Sequence, residues 1–65
     1  MSTVIDKLKK LHASTIEQIT VSRGGVTIYR GTILNLIRNR KDIINLQVCG
    51  EIKHKVNKGY YCTCK

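Results

Sequence analysis

The sequence predicts a mainly β domain: one short N-terminal α-helix followed by a small, strongly bent antiparallel barrel of five strands. Three observations carry this expectation. Apolar residues recur at helical intervals near the N-terminus, at Val4, Ile5, Leu8 and Leu11. From Ile16 onward the period falls to two. Turn-forming residues then punctuate the chain at short, regular spacing. With 65 residues the chain is read as one domain, 1–65, with the helix over 2–12 and the barrel over 16–64. A domain this small buries only about 60% of the surface its unfolded chain exposes, so its stability is marginal.

Each element has a local reason. Thr3 and Asp6 have capping-box spacing, with a hydroxyl for an orphan N–H and an acid near the positive helix end. Lys7, Lys9 and Lys10 fall opposite the apolar stripe. The helix is short and lacks an aromatic anchor, so the lysines read as a solvated face rather than a membrane surface. Ala13 to Glu17 reads as a connector, although Ser14 and Glu17 repeat the capping spacing. Ile19 and Val21 alternate with Gln18, Thr20 and Ser22, and Arg23-Gly24-Gly25 supplies a tight turn. Val26 to Ile37 reads as one long strand bent at Gly31. After the turn Arg38-Asn39-Arg40-Lys41, Asp42 to Cys49 reads as the third strand and Glu51 to Val56 as the fourth. Ile52, His54 and Val56 share one face of that fourth strand, and Lys53 and Lys55 the other. Asn57-Lys58-Gly59 turns into a last strand, Tyr60 to Cys64. Five short strands of this length fit an SH3-like barrel best.

The charge is the strongest functional signal. Twelve Lys and Arg face four acidic residues, for a net charge of +8. Such an excess favours polyanions, with nucleic acid ahead of an acidic protein or a membrane surface. An apolar content of 42% is too high for a disordered basic tail. No run approaches the ~18 apolar residues of a membrane span. The opening residues MSTVIDKLKK carry no long apolar run either, so the expectation is a cytoplasmic protein with reduced thiols.

Catalytic and metal chemistry find little support. His12 and His54 have no nucleophile or carboxylate at a recognisable catalytic spacing, and the few acids are spread out, so no enzyme is expected. Three cysteines cannot complete an intramolecular disulfide framework. Cys49, His54, Cys62 and Cys64 are zinc ligands by type. Their spacing, C-x4-H-x7-C-x-C, departs from the paired ligands of structural zinc sites. The expectation is no metal and no cofactor, with the cysteines as small apolar residues.

A helix followed by five bent strands resembles the Sm-like family of small barrels. Gly31, Ile33, Asp42, Asn45 and Leu46 stand in the order of that family's first motif, and Val56-Asn57-Lys58-Gly59 is similar to its second. The segment from Gly31 to Asn45 is longer than the family pattern, and the stretch between the two motifs is shorter. The resemblance implies a homo-oligomeric ring in which Asp42, Asn45, Lys58 and Gly59 sit on turns that line an RNA-binding pore.

Residues and resemblance together imply a small nucleic-acid-binding regulator, with RNA preferred over DNA. Arg38, Arg40, Lys41 and Lys58 are expected in one patch at one end of the barrel, extended by Lys53 and Lys55. Either Tyr60 or Tyr61, whichever faces outward, would stack a base. The alternative is a protein-interaction module that binds an acidic protein surface.

Overall fold

The computed structural model describes residues 2–12 and 14–65. Helix α1 spans Val4–Leu11. The hairpin β1 (Gln18–Arg23) and β2 (Val26–Thr32) follows, then helices α2 (Ile33–Asn39) and α3 (Lys41–Ile44). Strands β3 (Lys53–Lys55) and β4 (Gly59–Cys64) close the chain. The strands form a four-stranded sheet in the order β2-β1-β4-β3. Both hairpins are antiparallel, and β1 pairs with β4 in parallel, from Ile19↔Tyr60 to Arg23↔Cys64.

The N-terminal helix and the first hairpin form where the sequence places them. Thr3 and Asp6 complete a capping box, in which Thr3 Oγ1 accepts from the Asp6 N–H and Asp6 accepts from the Thr3 N–H. His12 ends the helix in a left-handed conformation. Ala13, expected to open the connector, lies outside the described residues. Gly24 and Gly25 both take positive φ in the hairpin turn.

The expected barrel is corrected to an open, mixed sheet, and five strands to four. The long second strand stops at Thr32, whose hydroxyl accepts from the Asn35 N–H at 3.2 Å and starts α2. Beyond it Ile33, Leu36 and Ile37 stand three and four apart, which is a helical stripe. Tyr29 ties the strand to the helix: its hydroxyl donates to the Thr32 carbonyl and accepts from the Asn35 amide. Gly31 is not the bend. The bulge lies earlier, at Ile28, which the register skips between Val21↔Tyr29 and Ser22↔Thr27. Gly31 instead leaves room for the Tyr29 ring, whose hydroxyl would lie 2.8 Å from a Cβ there.

The expected third strand is mostly helix α3 and its exit. Adjacent Ile43 and Ile44 are both buried, which a strand exposed on one face does not allow. Asn45 donates its side-chain amide to the Lys41 carbonyl and closes the helix. Only Gln47 and Val48 bridge, to Thr3 and Cys64. Of the expected fourth strand, Lys53–Lys55 pairs with β4.

All the helices sit on one face of the sheet. Ile19, Val21, Tyr29, Cys62 and Cys64 point toward them and join Val4, Leu8, Ile33, Leu36, Ile43 and Ile44 in one core. The alternating residues of the same strands point away, and no helix of the described residues covers them.

Gly59 makes the parallel pairing possible. Its φ is +83, and a Cβ there would overlap the Gln18 carbonyl on β1. Gly25 has nearly the same φ, +82, with nothing within 4 Å of a Cβ. Gly25→Ala is therefore expected to cost about 1–2 kcal/mol of backbone strain. Gly59→Ala carries that strain plus the overlap and should leave much of this marginal domain unfolded. Urea titration of the two variants separates the effects; equal midpoints would refute the close approach.

Candidate nucleic-acid interface on the open sheet face

The uncovered face presents one side of every strand. From β1 come Gln18, Thr20 and Ser22, and from β2 comes Arg30, opposite Thr20. From β4 come Tyr61 and Thr63, opposite Thr20 and Ser22. On β3, Lys53 stands opposite Tyr61, and Lys55 lies two residues further on the same side. The Lys55 ammonium sits over the Tyr61 ring, 5.1 Å from its centroid.

The register decides between the two tyrosines. Tyr60 pairs with Ile19 and packs against the core, so Tyr61 is the outward one. His54 stacks obliquely on Tyr60, with ring centroids 4.7 Å apart.

A cleft of about 670 Å³ opens between this face and the β3–β4 turn. Tyr61, Thr20, Arg30 and Gln18 line it from the sheet. Asn57, Lys58 and Gly59 line it from the turn, with Glu17 and His54 completing it. Asn57 adopts a left-handed φ of 65°, which asparagine tolerates better than most residues. The Lys58 N–H donates to the Lys55 carbonyl at 3.1 Å and closes the turn.

The structure divides the expected basic patch. Lys53, Lys55, Lys58 and Tyr61 gather on the open face. Arg38 lies in α2, Lys41 and Asp42 in α3, and Arg40 between them, all in the helical layer on the other side of the sheet. Arg40 is engaged there with Asp42, whose carboxyl it holds below the usual carboxylate range. The positions that carry the Sm-like resemblance are scattered as well, with Gly31 in β2, Asp42 and Asn45 at α3, and Lys58 and Gly59 at the far hairpin. Arg30 reads from the sequence as an outward-facing cation but stands outside the expected patch; the structure places it in the cleft. Its distance in sequence from the two basic turns separates it from that patch, and the pairing with Thr20 brings it to this face.

Ion pairing leaves the open face charged. Lys7 pairs with Glu51 at 2.6 Å, across from α1, and depresses the Glu51 carboxyl. Asp6 is held low by its hydrogen bonds from Thr3. Among the described residues Arg30, Lys53, Lys55 and Lys58 make no ion pair.

The zinc-type residues do not converge. Cys62 and Cys64 are buried in the core, Cys49 is exposed, and His54 lies on the edge strand. Among the described residues no group of three His, Cys, Asp or Glu is placed to hold a metal ion, and no helix is long and apolar enough to cross a membrane. No protein-family model, curated protein or solved structure matches the chain.

Burial pushes the Cys62 thiol up to about 12, helped by neighbouring Cys64. A raised thiol pKa stabilises the fold fully below the unfolded value near 9.0 and is lost as pH rises toward about 12. Melting temperature is accordingly expected to fall across that window. Cys62→Ala should start lower at neutral pH because of the small cavity and decline less steeply. Parallel curves for the two proteins would show that Cys62 does not contribute.

Proposed function

We propose that the protein binds single-stranded nucleic acid, RNA ahead of DNA, across its open sheet face. The observation that carries this is one outward aromatic ring, Tyr61, among four cations that make no ion pair with a described residue. A base stacks on Tyr61 in place of the Lys55 ammonium, which then turns to a phosphate. Arg30, Lys53 and Lys58 neutralise neighbouring phosphates. Thr20, Ser22, Thr63 and Gln18 supply hydroxyl and amide groups of the kind that hydrogen-bond ribose 2′-hydroxyls. The cleft on the open face and the helices on its far side favour an unpaired strand over a duplex groove.

A second reading has its own support. Ile16 and Val56 are each 78% exposed, and their chain neighbours Glu17 and Asn57 line the cleft. Two apolar anchors beside a cationic surface suit an acidic protein partner.

Fluorescence anisotropy with a single-stranded RNA across salt concentrations tests the proposal. Four cations on phosphates predict a slope of log affinity against log salt of about −3. Tyr61→Ala should weaken binding about 5- to 100-fold through lost stacking. Lys53→Ala/Lys55→Ala/Lys58→Ala should flatten the slope, whereas Arg38→Ala/Lys41→Ala in the helical layer should change it little. Loss of binding in the helical variant with none in the sheet variant would move the site. Absence of RNA binding at low salt, with capture of an acidic protein that Ile16→Ser/Val56→Ser abolishes, would favour the second reading.

A further inference from the structure

Among the described residues of the cleft, Glu17 is the one acid. It is half-buried, and its carboxylate makes no ion pair or hydrogen bond with another described residue. Its backbone is fixed: the N–H donates to the Ser14 carbonyl at 3.1 Å, and the carbonyl accepts from the Ile33 N–H at 3.0 Å. A carboxylate beside phosphate-binding cations repels phosphate, so charge neutralisation gives it no role. It suits instead the donor edge of a base. Among the four RNA bases, guanine alone places two adjacent donors, N1–H and N2–H, on its Watson–Crick edge, and two carboxylate oxygens match them. Adenine and cytosine set a single amine beside an acceptor nitrogen, and uracil sets one N–H between two carbonyls. Guanine's other edge carries the O6 and N7 acceptors that an arginine recognises.

We propose that the cleft selects an unstacked guanine within the bound strand. The ring lies on Tyr61, N1–H and N2–H donate to Glu17, and O6 and N7 face Arg30. This rests on the reading of the open face as a nucleic-acid surface.

The test uses uridine oligomers with one central guanosine, adenosine or inosine, measured by anisotropy against the wild type and Glu17→Gln. The guanosine oligomer is expected to bind about 5- to 100-fold tighter than the adenosine one. Inosine, which lacks the 2-amino group, should fall between them. Glu17→Gln should lose most of the preference while binding plain uridine oligomers at least as tightly as the wild type, because the charge that repels phosphate is gone. Equal affinity for guanosine and adenosine oligomers, with uridine binding intact, would overturn the guanine pocket alone. A preference that survives in Glu17→Gln would remove Glu17 from it. No binding to any oligomer at low salt would overturn both the pocket and the surface.

Discussion

The parallel seam between β1 and β4 is the constraint on which the rest of the molecule depends. Each hairpin alone is a two-stranded ribbon, which is marginal in water. Joined along Ile19–Arg23 and Tyr60–Cys64, they become a sheet whose two central strands carry Ile19, Val21 and Cys62 almost fully buried. Val48 and Cys49 donate to the carbonyls of Ser2 and Thr63, so the segment leaving α3 links the N-terminus to the last strand. The seam demands a close backbone approach at its start, and Gly59 supplies it.

Among the described residues, one layer of short helices packs against the sheet. Leu36, Ile33, Ile43, Val4 and Leu8 fill that single interface. The opposite face carries no second layer of described residues, and alternation fills it with Gln, Thr, Ser, Arg, Lys and Tyr. The exposed edges are protected in different ways. The short β3 carries lysines, and β2 carries the bulge at Ile28, both of which discourage edge-to-edge pairing.

Those parts of the fold whose signals are local were legible. Thr3, Asp6 and the stripe from Val4 to Leu11 specify α1, and the two glycines specify the first hairpin. Helices α2 and α3 were misread because their residues are rich in isoleucine, which suits strands as well. The discriminating signals were present but small: the Thr32 cap, the spacing of Ile33, Leu36 and Ile37, and the adjacent Ile43 and Ile44. The seam has no local signature at all. It joins residues some forty positions apart, and with it went the choice between Tyr60 and Tyr61, since only the register against Ile19 decides which ring turns outward. The lysines of the candidate site were legible by composition, whereas their separation from Arg38, Arg40 and Lys41 depended on the helices.

Charge and stability are coupled in this architecture. Three of the four acids are engaged at the helical layer or its ends, by Thr3, Arg40 and Lys7, and the open face keeps cations that repel one another. Self-repulsion of this kind destabilises a compact state, and it acts where the sheet is weakest, because β3 is held by only three residue pairs. A polyanion lying across β4 and β3 would neutralise the repulsion and bridge the two strands at once. Any ligand that binds the folded chain and not the unfolded one raises its stability. The proposed ligand would do so by relieving a strain built into its own binding surface, which links the marginal stability of the domain to the occupancy of that face.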